Sequence, residues 1–365
     1  MPPTPDDRRG YAGAASRGDP DRPEDRAPTG EAPASPAAPA MREVAYALAV
    51  RTALREEMLR DQRVIVMGED IGLYGGVYGA TRGLQREFGE QRVRDTPISE
   101  AAIAGMCIGA AISGMRPVAE IMYCDFLSIA LDAIANNAAK LRYMSGGQLS
   151  IPMVIRTAAG GHGYAAQHSQ SLEAWVTHIP GLKVVTPGTC ADARGLLKSA
   201  IRDPNPVVVI EHKALYQTTG PMPAAETLEP IGVAKVTREG ADVTLVSWSA
   251  MAGICLEAAQ ELAAQGIEAE VIDLRSLLPA DFDTVLGSVR KTGRLVVAHE
   301  AVSYGGFGAE VVAQLAERAW GSLKAAPTRV GARFAPVPFA EPMEEYVLPG
   351  KKEVIEAAQR CVGTG

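Results

Sequence analysis

The chain has 365 residues, enough for two domains with separate cores, and its 47% hydrophobic and 22% charged content is that of an ordinary globular protein. A formal charge of −7 argues against the basic surface with which nucleic-acid binders displace phosphate counterions. Apolar runs such as VIVM and VVVI are strand-sized, far below the roughly 20 residues of a membrane-spanning helix, so neither nucleic acid nor membrane is an expected partner.

Residues 1–40 are rich in Pro, Ala, Gly, Asp and Arg without apolar periodicity, and are expected to form a disordered N-terminal extension. Asp6, Asp7, Asp19, Asp21, Glu24 and Asp25 make it too acidic for a transit peptide. From Met41, MREVAYALAVRTALREEML puts Ala47, Val50, Leu54 and Met58 on one face and predicts a helix. VIVMGED, PVAEIM, PMVIRT, LKVVT and PVVVIEH read as strands, with helical LSIALDAIANNAAKLRYM and ADARGLLKSAIRD among them. Continuous apolar strands alternating with helices predict a mainly parallel sheet covered on both faces. The proline-rich TTGPMPAAETLEPIG breaks this rhythm, and strands DVTLVSW, AEVIDL, RLVVAHE and PTRVGA then alternate with three more helices. The expected fold class is α/β with two doubly wound domains, at 41–220 and 236–365, joined by a linker at 221–235.

Five cysteines, Cys107, Cys124, Cys190, Cys255 and Cys361, are odd in number, widely spaced and set among apolar residues. That pattern suits free thiols in a reducing cytoplasm rather than a disulfide frame. The five histidines have no helix-borne zinc spacing, no Walker A sequence occurs, and GGFG at 305–308 fails as a dinucleotide loop because Val311 stands where a small residue is required.

Four stretches carry candidate chemistry. In DTPISEAAIAG, Thr96 as cap and Pro97 as first helical residue would place Glu100 in a first helical turn, where free N–H groups favour the anion while burial opposes it. An N-terminal glutamate that merely complements a helix dipole is the plain alternative. The small residues Ala101, Ala104 and Gly105 beside it allow close approach of a flat ligand or another backbone. In EIMYCDF, strand alternation puts Met122, Cys124 and Phe126 on one side and Tyr123 and Asp125 on the other, at a carboxyl end where parallel sheets bind ligands. Core packing is the alternative there. His162 and His168 lie in the glycine-rich GGHGYAAQHSQ after a strand, against the plain reading of solvated loop histidines. GEDIG, with Glu69, follows the first buried strand.

Taken with KLRYMSGG, AAQHSQ, PGLKVV, KSAIRDPNP, VIDLRSLLP and HEAVSYGGFGAE, these segments resemble, in order and spacing, the beta subunits of thiamine-diphosphate-dependent 2-oxo acid dehydrogenases. The resemblance runs from about Met41 to the C-terminus and implies a transketolase-like pyrimidine-binding domain followed by a transketolase C-terminal-like domain. It implies that Glu100 bonds N1′ of the cofactor's aminopyrimidine and drives its imino tautomer. Phe126 would stack on that ring, Met122 and Glu69 would line its pocket, and His168 would face the substrate and an incoming lipoyl group. It further implies a structural cation, usually potassium, at backbone carbonyls matching Met153, Ala200, Ile201, Asp203 and Asn205. His162 has no counterpart in the pattern.

The chain lacks the Gly-Asp-Gly with a later asparagine by which thiamine enzymes hold Mg²⁺ and the diphosphate. An alpha subunit that supplies them in an α2β2 heterotetramer is therefore expected, with a lipoyl-bearing acyltransferase core as the further partner. The reaction implied is oxidative decarboxylation of a pyruvate-like 2-oxo acid with acyl transfer to lipoyl. Acetoin or a branched-chain 2-oxo acid is the alternative substrate. A single-chain transketolase-type synthase, which needs a much longer chain, and a non-catalytic binding subunit are the rival readings.

Overall fold

Two sets of buried β-branched runs seed two sheets in the computed structural model, which describes residues 40–363. The expectation for residues 1–40 falls, apart from Ala40, outside the described residues. The strands are β1 (Met41–Ala45), β2 (Val64–Gly68), β3 (Val93–Asp95), β4 (Arg116–Tyr123), β5 (Val154–Ala159), β6 (Lys183–Val185), β7 (Val207–His212) and β8 (Thr219–Pro223), then β9 (Lys235–Arg238), β10 (Val243–Ser247), β11 (Ala269–Asp273), β12 (Ser276–Leu278), β13 (Leu295–Val302) and β14 (Thr328–Ala332). The helices are α1 (Tyr46–Arg60), α2 (Leu84–Phe88), α3 (Glu100–Ile112), α4 (Leu127–Asp132), α5 (Leu141–Met144), α6 (Glu173–Thr177) and α7 (Cys190–Arg202), then α8 (Ala250–Ala263), α9 (Phe282–Thr292), α10 (Gly308–Ala319), α11 (Glu341–Val347) and α12 (Lys351–Val362).

The first sheet has the order β12-β6-β7-β5-β4-β2-β3 and the second β14-β13-β10-β11-β9. All pairings in both are parallel except the edge strands β12 and β9, which run antiparallel. Alternate residues of a strand face opposite sides, and here both sides are covered. Val64, Val66, Val207 and Val209 pack with Val50, Leu54 and Met58 of α1 and with Leu196 and Leu197 of α7. Ile65, Met67 and Ile155 face the other way, into a core that holds Ile103 and Ile108 of α3 and continues into Val246, Ile272, Val297 and Phe307 of the second sheet's domain. One apolar core thus joins the two halves. Strand β12 reinforces the joint, because it belongs by sequence to the second half but closes the edge of the first sheet on β6.

Two local expectations are corrected, and the rejection of GGFG as a dinucleotide loop gains a physical reason. The helix predicted from Met41 starts at Tyr46, since residues 41–45 pair antiparallel with 219–223, a partnership that no local period reveals. The strand alternation read through EIMYCDF ends at Tyr123, and Cys124–Phe126 form a 3₁₀ turn. GGFG is a packing device: a Cβ at Gly306 or Gly308 would come within 2.6 Å or 2.5 Å of the buried His299 ring. That ring stacks on Trp248 with centroids 5.3 Å apart, and burial pushes its pKa down to about 4.

Candidate functional site

In a parallel sheet the carboxyl ends of the strands point the same way, so the residues that follow them gather at one edge. Here β2, β4, β5 and β7 are consecutive neighbours. Glu69 follows β2, Met122 and Phe126 lie at the end of β4, the 160–170 loop with His162 and His168 follows β5, and Lys213 follows β7. Between Ile121 and Tyr123 the pairing of β4 with β5 shifts register, an irregularity at Met122 that re-aims the side chains around it.

Glu100 is the first residue of α3 and is only 4% exposed. Its cap is Ser99, in extended conformation and without a side-chain bond, and not Thr96 as expected from the sequence. The threonine hydroxyl is instead buried and unpartnered, so the chain turns into the helix later than the Thr-Pro signal predicts. Glu69 is 8% exposed, and its Oε1 is buried with no hydrogen-bond partner among the described residues. Burial raises the Glu69 pKa, and the negative charges of Glu100, Asp70 and Glu120 raise it further. Among the described residues, no cation forms an ion pair with Glu69 or Glu100. A buried carboxylate oxygen without a donor is costly unless a bound molecule supplies the donor. The chemistry fits an aminopyrimidine, which brings both an exocyclic N–H donor and a ring nitrogen that can share a proton.

At the same carboxyl edge of the sheet the structure brings Phe126 and His168 together, with ring centroids 5.4 Å apart at 87°. Tyr123 stands edge-on to both, 5.1 Å from His168 and 5.9 Å from Phe126. His162 is exposed and joins no part of this cluster. The face of α3 rich in small residues is open: a Cβ at Gly105 or Gly109 would meet nothing within 4 Å, so the close approach these residues permit is not made within the chain.

Several charged residues at this edge carried no motif of their own. Lys213 is 2% exposed, donates to the Gly160 carbonyl at 2.9 Å and lies 5.2 Å from the centroid of the Tyr123 ring. Burial lowers its pKa, against the pull of Asp125 and other acids nearby. The signal in the sequence is a lysine directly after the buried run VVVIEH, at the carboxyl end of a strand. Glu300 and Glu344, from the second sheet's domain, also reach the 160–170 loop, and nothing local in the sequence foretells that.

The five expected cation-binding carbonyls lie at the opposite edge. Met153 precedes β5, Ala200 and Ile201 end α7, and Asp203 and Asn205 lead into β7. The chain's own donors already use several of them. Met153 O accepts from Val207 N at 3.0 Å and Ala200 O from Asp203 N at 3.2 Å, while Arg116 Nη1 donates to Ile201 O at 2.8 Å and to Asp203 O at 3.3 Å. Among the described residues, no group of three or more His, Cys, Asp or Glu side chains could hold a metal ion.

Comparison with known proteins adds to this geometry. The family model "Transketolase, pyrimidine binding domain" matches residues 42–219, and "Transketolase, C-terminal domain" matches 232–354. The beta subunit of acetoin:2,6-dichlorophenolindophenol oxidoreductase from Cupriavidus necator is 46% identical, over 89% of this chain and 99% of its own length. The pyruvate dehydrogenase E1 component subunit beta of Rhizobium meliloti is 45% identical over 90% of this chain and 73% of its own, and the mitochondrial one of Bos taurus is 44% identical over 89% and 92%. Among solved structures, a split-gene transketolase described as an inactive beta4 tetramer superposes with a TM-score of 0.71 at 26% identity, covering 88% of this chain and 99% of that one.

Proposed function

The chain belongs to the beta-subunit family of thiamine-diphosphate-dependent 2-oxo acid dehydrogenases, and on that premise we propose that it decarboxylates a pyruvate-like 2-oxo acid and passes the acyl group to lipoyl. The observation that carries this reading is the buried pair Glu69 and Glu100, without an ion-pair partner among the described residues, at the same carboxyl edge of the first sheet as the packed rings of Phe126 and His168.

Bound thiamine diphosphate supplies a nucleophilic carbon and an electron sink for the bond beside the substrate carbonyl. This chain's residues supply geometry and proton control. Glu100, placed at the first residue of α3, would hydrogen-bond the pyrimidine ring nitrogen and favour its imino tautomer. Glu69, whose buried Oε1 has no hydrogen-bond partner among the described residues, would line the pyrimidine pocket and could accept a hydrogen bond there. Phe126 would stack on the ring, and Met122, at the β4 irregularity, would line its pocket. His168 would face the substrate and the incoming lipoyl group.

The diphosphate and its Mg²⁺ are held by an alpha subunit, in an α2β2 tetramer whose contact includes the open Gly105–Gly109 face of α3. A potassium ion at the carbonyls of Met153, Ala200, Ile201, Asp203 and Asn205 uses their second lone pairs and serves the fold, far from the chemistry. The five cysteines are free and buried, which fits a reducing compartment, here proposed as the cytoplasm. Acetoin is the second substrate reading, supported by the relative matched over 99% of its length.

Co-expression with an alpha subunit and assays on pyruvate, acetoin and 3-methyl-2-oxobutanoate test this. One substrate should turn over and acylate a lipoyl domain. If the purified chain alone binds thiamine diphosphate with Mg²⁺ at micromolar affinity and turns over, the split site is wrong.

A further inference from the structure

We propose that Glu344 and Glu300 are positioning residues, two carboxylates from the second sheet's domain that hold the 160–170 loop so that His168 faces the reacting atoms. The inference rests on the role given to His168 above.

The loop is closed at its base, where Gly160 N donates to Gln170 O at 3.3 Å. Charged groups grip it at both ends. Lys213 Nζ donates to Gly160 O, Gly161 N donates to Glu300 Oε1 at 2.6 Å, and Gly163 N donates to both oxygens of Glu344 at 3.1 and 3.0 Å. At the other end Gln170 donates to Asp125 Oδ1 from its backbone N at 3.2 Å and from Nε2 at 2.9 Å. His168 sits between these anchors. Bonds from an amide to an ionised carboxylate are about twice as strong as neutral ones, and here they are made to bare loop backbone.

The sequence is shaped for this grip. Gly160 has φ +93°, and a Cβ there would come within 2.0 Å of His212 Nε2, while a Cβ at Gly161 would come within 2.3 Å of Leu348 and 2.9 Å of Glu344. Only glycine lets the loop press this close to the second domain. Glu300 is itself fixed. His212 Nδ1 accepts from Ala214 N at 3.2 Å, which leaves Nε2 as the donor to Glu300 Oε2 at 2.7 Å. Although burial pushes the Glu300 pKa up, His212, the Gly161 amide and Lys213 together bring it below the ordinary carboxylate range, so it stays an acceptor. Removing Glu344 frees the loop segment that leads to His168, and a misplacement of about 1 Å at such a group costs on the order of 10²-fold in rate.

The test is a double-mutant cycle in the assembled alpha–beta enzyme, reading kcat/KM for acyl transfer to a free lipoyl domain. Glu344→Ala should lower it by about tenfold or more when His168 is present and by less than about twofold in the His168→Ala background. Glu344→Gln, which keeps one carbonyl oxygen for the Gly163 amide, should recover most of the loss. If Glu344→Ala costs the same factor in both backgrounds, or nothing in either, the grip does not act through His168 and the proposal fails. Should Glu344→Ala not assemble, Glu344→Asp, shorter by one methylene, takes its place in the cycle. If His168→Ala alone leaves acyl transfer intact, the role of His168 falls and the proposal with it.

Discussion

Two sets of buried or partly buried carboxylates flank the first sheet and are treated in opposite ways. On α1, Glu56 and Glu57 are met by cations from α7: Arg194 reaches Glu56 at 2.6 Å, Arg202 reaches Glu57 at 2.7 Å, and the fully buried Lys198 bonds Glu56 at 2.6 Å. Burial alone would push the Glu56 pKa up, yet Arg194 and Lys198 bring it below its ordinary value. At the carboxyl edge, Glu69 and Glu100 repel each other and pair with no cation among the described residues, and Glu69 shifts the opposite way. The first set is finished and holds two helices together. The second is left incomplete by the chain itself, which is the mark of a site that waits for a ligand.

The sharpest way to break this contrast is Glu100→Gln in the assembled enzyme. Decarboxylation should fall by about 10²- to 10⁴-fold, the usual contribution of a placed proton donor or acceptor, with assembly by size-exclusion chromatography unchanged. Near-normal turnover would return Glu100 to the role of a dipole partner. Next comes Lys198→Met in the finished set, which removes a buried charged hydrogen bond to Glu56 while Arg194 and Arg202 still hold Glu56 and Glu57, and should cost about 2 kcal/mol in urea unfolding while leaving activity per folded enzyme intact. Equal loss of specific activity would show that the two sets are coupled.

A smaller effect of opposite sign is expected at Glu69. Its folded pKa lies above its unfolded one, so the folded state binds more protons and stability falls as pH rises from the unfolded value through the folded one. Glu69→Gln removes that dependence and the repulsion with Glu100, and should raise the stability of the ligand-free chain by on the order of 1 kcal/mol at neutral pH, with little gain near pH 4. Melting temperatures across that range check it. Glu226→Gln should do least, under about 0.5 kcal/mol, because that acid is exposed at the rim of the Lys198 cluster.

Periodicity made much of the fold legible, since α1, α7, α8 and the central strands each bury one continuous apolar stripe or run. What escaped depends on partners distant in the chain. Residues 41–45 look helical until Pro223, Met222 and their neighbours pair with them. For the proposed site, unusual local sequence singled out Glu100, Phe126 and His168, while Glu69 came only from the family resemblance. Glu300 and Glu344 lack that advantage: their role lies in amides 139 and 181 residues away, which only the packing of the second domain on the first brings within reach.

Strand β12 has a practical corollary for anyone who divides the gene. A fragment that stops between the two family matches, near residue 231, omits Ser276–Leu278 and leaves Val184 and Val185 of β6 without their outer neighbour. Bare strand flanks of that sort recruit other copies and precipitate. The halves should therefore be cloned whole, and chimeras made with a relative should carry 276–278 from the same parent as 183–185.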